Sequence, residues 1–384
     1  MAFTPLSLAG DHLGLYIHVP FCVRRCGYCD FASGTDFSRV DEYLLALARE
    51  AENWRGMTVS SVYIGGGTPT ALSVVQLRKL WQTVVAQFII APGAEVTIEA
   101  NPGTLTPEML ALLGELPLTR VSLGAQSFNP RELTLLGRIH GPAEIDAAVH
   151  AVKALDVQVS IDLMYALPGQ GVAEWTENLR HALGLQPDHI SLYSLTLEPG
   201  TPLAAQVAAG ELPAPAEDIE QEMYAMTTAL LADAGMALYE VSNAARPGYH
   251  SRHNLGYWLG RDYLGLGAAA VSTVKGVRRR NAADTASYIA RMREYGSATV
   301  YAERLSARAR LLERVMLGLR LRDGFSLADA EVACGTTLPL VPLQHLLDEG
   351  LLERDGGDIR LSQRGFPLAN DVVARLMLAV EEEK

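Results

Sequence analysis

Short β-rich runs alternate with amphipathic, helix-like stretches through residue 195, and this alternation leaves few architectures open to the chain. The β-rich runs lie at 15–19, 61–64, 95–100, 120–123, 157–163 and 190–195, and helical periodicity marks 40–55, 74–87, 144–155 and 173–183. Strands re-entered through a helix must run parallel, so six repeats predict one parallel α/β sheet. Eight repeats would close a barrel. Six predict an open (β/α)6 partial TIM barrel whose functional edge lies at the C-terminal ends of the strands. With 384 residues, of which 49% are hydrophobic and 20% charged, the chain can bury such a core and carry a smaller second domain.

The first strand runs straight into a cysteine cluster, Cys22-Val23-Arg24-Arg25-Cys26-Gly27-Tyr28-Cys29, while the fourth cysteine, Cys334, is remote and reads as a buried thiol. Residues 1–5 do not open like a secretory leader, and no apolar run reaches about 18 residues, so a cytoplasmic protein with reduced thiols is expected. In a reducing compartment clustered thiols are more often metal ligands or redox groups than disulfides. One solution is a Cys3His zinc site completed by His18. The other is a 4Fe–4S cluster with thiolates on three irons and the fourth left for an exogenous ligand. The spacing C-x3-C-x2-C, with Tyr28 before the last cysteine, is similar to the signature of the radical S-adenosylmethionine (SAM) superfamily.

Polar and glycine-rich segments recur at the strand ends: Gly65-Gly66-Gly67-Thr68-Pro69-Thr70, Glu99-Ala100-Asn101-Pro102-Gly103, Gly124-Ala125-Gln126-Ser127-Phe128, and a fifth strand ending at Asp162. The glycines are expected to let backbone approach a ligand, and Glu99 to accept hydrogen bonds from ribose hydroxyls. Each residue alone fits a helix cap or a solvated face; their repetition along one sheet edge predicts a binding site.

Tyr16 to Cys22, Cys26 to Phe31, Gly65 to Pro69, Glu99 to Gly103, Gly124 to Phe128 and Leu167-Pro168-Gly169-Gln170 together resemble the oxygen-independent coproporphyrinogen III oxidase family over nearly the whole chain. The resemblance implies a radical SAM core, with Cys22, Cys26 and Cys29 holding the cluster and Tyr16, Gly66, Gly67, Thr68, Glu99, Gln126, Arg138 and Asp162 contacting SAM. Within the family the chain is most similar to the heme-chaperone (HemW-like) branch. Phe31 stands where the oxidase has a further cysteine, only 21 residues precede Cys22, and His253-Asn254-Leu255-Gly256-Tyr257-Trp258 matches the branch motif H-N-x-x-Y-W. The resemblance therefore implies heme binding and transfer to acceptor proteins, respiratory-chain enzymes met by transient membrane docking among them. The alternative is oxidative decarboxylation of coproporphyrinogen III, which Phe31 weakens.

His253 offers an imidazole to heme iron, Tyr257 lies one turn away on the same helical face, and Trp258 offers a flat apolar surface. Lys275, Arg278, Arg279 and Arg280 could pair with propionates or form a solvated loop. Gly265-Leu266-Gly267-Ala268-Ala269-Ala270 fits a dinucleotide fingerprint but lacks its acidic partner, and reads as close packing. The expected organisation is a core at 1–245, a connecting segment at 246–304 and a winged-helix-like α+β domain at 305–384. That last domain carries 10 basic and 13 acidic residues within a chain of net charge −12, so no nucleic-acid partner is expected. The acidic end, Glu381-Glu382-Glu383, is expected to be frayed and solvated.

Overall fold

A computed structural model of the chain describes residues 12–382; residues 1–5, read above for a leader, and Glu383 lie outside the described residues. Six strands, β1 (Leu13–Val19), β2 (Thr58–Gly66), β3 (Ile89–Ala100), β4 (Arg120–Gln126), β5 (Gln158–Tyr165) and β6 (His189–Ser194), pair in chain order and all in parallel. The crossovers are α1 (Val40–Glu52), α2 (Val74–Gln87), α3 (Pro107–Glu115), α4 (Pro130–Leu136) with α5 (Pro142–Lys153), and α6 (Val172–Gly184). Local signals explain the borders. Ser73 and Gln76 form a capping box ahead of α2, Thr106 and Asn129 cap α3 and α4, and left-handed Gly137 stops α4.

Period-two patterning decides what the strands enclose. Leu15, Ile17, Val62, Ile64, Val96, Ile98, Val121, Leu123, Val159, Ile161 and Ile190 are all at most 2% exposed and form one core with the helices. The alternate positions, including Tyr16, Ser61, Tyr63, Thr97, Glu99, Ser122, Ser160, Asp162, His189, Ser191 and Tyr193, face the other way. A barrel interior is ordinarily filled by branched apolar side chains. This one is lined with hydroxyls, carboxyls and imidazoles.

The chain then extends the sheet at both edges. After α7 (Pro202–Ala208) and α8 (Glu217–Asp233), β7 (Ala237–Glu240) and β8 (Asn243–Ala245) add antiparallel to β6. Segment 246–304, expected to be a connector, supplies α9 (Arg252–Trp258), β9 (Asp262–Leu266), β10 (Val271–Val274), β11 (Val277–Asn281), α10 (Thr285–Tyr295) and β12 (Thr299–Arg304). β9 pairs parallel with β1, and β10 to β12 continue antiparallel, giving a twelve-stranded sheet. The dinucleotide look-alike sits at the β9–β10 turn and is indeed packing. A Cβ on Gly267 would lie 2.3 Å from the Tyr43 hydroxyl and 2.8 Å from the His18 carbonyl, at φ +102°. Gly267→Ala is therefore expected to destabilise the fold by about 1–3 kcal/mol, read from denaturant midpoints; an unchanged midpoint would contradict this packing.

The C-terminal unit has its own core, from Leu311 to Val380. Its elements are α11 (Ala307–Gly318), β13 (Phe325–Ser326), α12 (Leu327–Cys334), α13 (Leu340–Asp348), β14 (Leu352–Asp355), β15 (Asp358–Leu361) and α14 (Ala369–Glu382), with sheet order β13-β15-β14. Cys334 is buried there, and α14 runs to Glu382. No described helix is long and apolar enough to cross a membrane.

Candidate functional site

The cysteine loop leaves β1 at Pro20 and is closed by paired backbone bonds, Cys22 N–H to Gly34 O and Gly34 N–H to Pro20 O, both 2.9 Å. Gly27 N–H donates to Leu136 O, and Leu203 N–H donates to Gly27 O, tying the loop to α4 and α7. Donors surround the sulfurs. Arg138 Nη1 lies 3.3 Å from Cys26 Sγ, Thr68 Oγ1 lies 3.7 Å from Cys22 Sγ, and the Tyr28 hydroxyl bonds Cys26. Burial pushes the Cys29 thiol up, and the Phe31 N–H donated to it works in the opposite direction. Donors converging on thiol sulfur suit anionic thiolates in a cluster. The zinc alternative does not fit: His18 Nε2 bonds Ala32 O at 2.8 Å and Nδ1 bonds the Tyr16 hydroxyl at 2.9 Å, so His18 has no free nitrogen. Among the described residues, no three His, Cys, Asp or Glu side chains converge on a point that would hold one ion.

The rim beside the loop gathers the carboxylates and their partners. Glu99 accepts from the Tyr63 hydroxyl (2.7 Å) and the Gly66 N–H (3.0 Å). Ser122 donates to Asp162, whose carboxyl is raised by burial and feels both Ser191 and Arg138. Arg138 Nη2 donates to the Gly124 carbonyl. Gln126 ends β4 at φ +72°, a strained backbone for a residue with a side chain, and its amide lies over Gly124 beside Arg138. Tyr16 stacks on Tyr63 at 6.2 Å, because parallel register sets the two opposite each other.

Two expectations need correction here. The fifth strand continues past Asp162 to Tyr165, so Asp162 faces the barrel interior from within the strand instead of terminating it. The glycine run serves packing first: a Cβ on Gly66 would lie 2.4 Å from His18 Nδ1, and one on Gly67 would lie 2.8 Å from the Val19 and Phe21 carbonyls. The Gly67 and Thr68 N–H groups are already spent on Val19 O and Phe21 O. The run clamps the cysteine loop onto β2.

Burial raises the Glu99 carboxyl to about 7; the Tyr63 and Gly66 donors oppose this and Asp162 reinforces it. A carboxyl that holds its proton more tightly when folded favours the fold in acid, and loses that contribution as pH rises from the unfolded value towards the folded one. Glu99→Gln is therefore expected to gain on the wild type by up to about 3 kcal/mol between about pH 4.5 and pH 8, measured by urea unfolding of cluster-free protein. A pH-independent difference would refute the shift.

An open cleft of about 410 Å³ lies alongside, lined by Tyr16, His18, Gly66 and Glu99 together with Phe31, Tyr257, Tyr263 and residues 269–271. Phe31 is 63% exposed at its rim. Beneath it is an inner polar chamber of about 150 Å³ that shares Tyr16 and Tyr257 and reaches Arg120, His189 and His253. His253 is buried, with Nδ1 at 2.8 Å from Ser61 Oγ and Nε2 at 3.1 Å from the Tyr257 hydroxyl, and burial lowers its pKa to about 4. As placed, it presents no free nitrogen to an iron. Trp258 turns away from the cleft, packing near Tyr239, Leu255 and Leu321 under the Arg320 guanidinium. Three of the four basic residues lie in a strand, not a loop: Arg278 pairs with Glu313, Arg279 lies over Trp54, and Arg280 lies over Tyr301, while Lys275 sits in the β10–β11 turn as expected.

Three contributors went unread in the sequence: Tyr63, Glu95 and the β9–β10 wall. Tyr63 had a readable signal, since it occupies the interior phase of β2 as Tyr16 does of β1. Glu95, whose carboxylate accepts the Arg252 and His253 N–H groups at the start of α9, had none, because its partners are remote in sequence.

An open parallel barrel with a three-cysteine loop at its C-terminal edge is the arrangement of a radical SAM protein, and the superfamily profile matches residues 16–182, with a HemN C-terminal domain profile at 305–368. Coproporphyrinogen III oxidase (HemN) from Escherichia coli shares the fold, with TM-score 0.84 over 95% of this chain and 90% of that one at 24% identity. Heme chaperone HemW from Mycobacterium tuberculosis is 39% identical over 96% of both chains, and that from Bacillus subtilis is 34% identical over 93% of this chain and 97% of its own. Mouse mitochondrial radical S-adenosyl methionine domain-containing protein 1 is 34% identical over 97% of this chain and 89% of its own. The chain belongs to the HemW family of radical SAM proteins, and with that family go a 4Fe–4S cluster and SAM as cofactors.

Proposed function

We propose that the protein binds heme in the open cleft and delivers it to acceptor proteins, with the cluster and SAM governing retention or release. The observation that carries this reading is the cleft itself: its lining includes Phe31, Tyr257, Tyr263 and residues 269–271, aromatic and apolar groups suited to a porphyrin face. The relatives named heme chaperones match almost end to end, which supports the same reading. Cys22, Cys26 and Cys29 would hold the cluster, whose open iron supplies a chelation point for the amino and carboxylate groups of SAM. Tyr16, Gly66, Glu99, Gln126, Arg138 and Asp162 would form the rim around SAM, while Gly67 and Thr68 hold the loop in place. The acceptors would be respiratory-chain enzymes met from the cytoplasm by transient docking at the membrane.

Coproporphyrinogen oxidation is the second reading, favoured by the shared fold and weakened by Phe31 at the cysteine position. Anaerobic reconstitution with iron, sulfide, SAM and hemin separates the two. Stoichiometric heme uptake and transfer to a heme-depleted acceptor, without decarboxylation of coproporphyrinogen III, is expected. Turnover of coproporphyrinogen with no heme retained would replace this reading with the second.

A further inference from the structure

We propose that the Tyr257 oxygen, not a His253 nitrogen, is the axial ligand to ferric heme, and that His253 is the positioning residue behind it. This rests on the heme-binding reading above and names the atom that performs it. His253 is 4% exposed and sits in the first turn of α9, where its backbone N–H donates to Glu95 at 2.9 Å. Its ring stacks on Tyr63 at 5.2 Å, and Ser61 and Tyr257 occupy its two nitrogens. To reach an iron it would have to break both hydrogen bonds and leave a packed site.

Tyr257 has the opposite setting. It is half-buried, lines both the open cleft and the inner chamber, and is held edge-on between His253 (5.0 Å) and Tyr263 (4.7 Å). Of its neighbouring oxygens, the Tyr16 hydroxyl is committed to His18 and the Glu99 carboxylate to Tyr63 and Gly66, whereas the Tyr257 hydroxyl bonds His253, the residue that stays behind it. Phenolate is an established haem ligand type and, as a hard anion, suits ferric iron. The step balances without redox chemistry. The iron stays ferric, an Fe–O bond forms, the phenol proton leaves to solvent, and the water or hydroxide on free hemin departs. His253 stays neutral throughout. Its Nδ1 accepts from the Ser61 hydroxyl, and its Nε2–H donates to the phenolate oxygen. A buried neutral imidazole can make this charge-assisted bond without carrying charge itself.

The test uses full-length reconstituted protein with hemin, comparing wild type with Tyr257→Phe, Tyr257→His, His253→Gln and Tyr263→Phe. Iron–sulfur content and circular dichroism report that each variant folds. Resonance Raman of the wild type should show tyrosinate ring modes enhanced with the heme bands. Tyr257→Phe should lose those modes and weaken hemin binding roughly tenfold or more. Tyr257→His should exchange them for an imidazole-ligated spectrum, His253→Gln should keep them with a shifted Fe–O stretch, and Tyr263→Phe, which lacks the neighbouring phenol of the cleft wall, should still show tyrosinate modes whatever it does to hemin affinity. Tyrosinate modes that persist in Tyr257→Phe, or an imidazole-ligated wild type, would overturn the assignment while leaving heme binding intact. A wild type that takes up no hemin would instead remove the heme-binding reading, and this inference with it.

Discussion

Glu95→Ala is expected to destabilise the protein by about 3–5 kcal/mol, because it leaves the Arg120 guanidinium buried without its counter-charge. The two side chains are 4% and 2% exposed and 3.1 Å apart. The loss goes beyond one ion pair. The same carboxylate accepts the Arg252 and His253 N–H groups and the Ser251 hydroxyl, which satisfies the first turn of α9 and ties it to β3. Burial by itself would raise this carboxyl, but Arg120 and the two helix N–H groups outweigh it and hold the pKa below the ordinary value. The sign follows from that depression: the contribution is present at neutral pH and is lost as pH falls through the folded value. Urea unfolding at neutral pH should show the full deficit, and acidification should narrow the gap to wild type. The double variant Glu95→Leu with Arg120→Met should lose less than the sum of the single changes. A deficit below about 1 kcal/mol for Glu95→Ala would mean that α9 is held by packing alone.

The same residues show why part of the molecule was legible in the sequence and part was not. The six parallel strands and four of their helices announce themselves locally, through period-two runs and helical periodicity, whereas the short α3 and α4 do not, although Thr106 and Asn129 cap them. The cysteine loop is also legible locally, as is the β14–β15 hairpin, which turns at Asp355 to Asp358 as its Gly-Gly centre predicts. Even the polar lining of the barrel is encoded locally, since each strand alternates apolar residues towards the helices with hydroxyl or ionisable residues inward. What stayed hidden was set by distance along the chain. The pairing of β9 with β1 joins residues far apart in sequence, so segment 246–304 read as a connector although it walls the cleft. His253 read as an available imidazole because Ser61, 192 residues away, gives no signal next to it. Arg278 to Arg280 read as a loop because their partners, Glu313, Trp54 and Tyr301, lie on other elements. Tertiary pairing decided each of these.

Cys26→Ala should abolish the metal centre while leaving the fold in place, so that anaerobically reconstituted protein falls from about four irons per chain to background. Among the described residues, neither the histidine beside the loop nor the fourth cysteine is placed to substitute for the lost thiolate. His18 is hydrogen-bonded at both nitrogens, and Cys334 is buried in the separate core of the C-terminal unit. The loop should survive, since the bonds that close it, between Cys22 and Gly34 and between Gly34 and Pro20, are backbone to backbone and do not involve the Cys26 sulfur. Far-ultraviolet circular dichroism should therefore match wild type, and iron and sulfide analysis should not. Arg138→Gln divides the effect differently. Its guanidinium reaches Cys26 Sγ at 3.3 Å and also donates to the Gly124 carbonyl, but it contributes no ligand atom. That variant should still assemble the full complement of iron. Its cluster should have a more negative reduction potential, because a cationic donor to a cluster sulfur stabilises the reduced state. Potentiometry followed by electron paramagnetic resonance reads this directly. Full iron loading in Cys26→Ala would show that the cysteine loop is not the metal site, and an unshifted potential in Arg138→Gln would show that the 3.3 Å contact does not bear on the cluster.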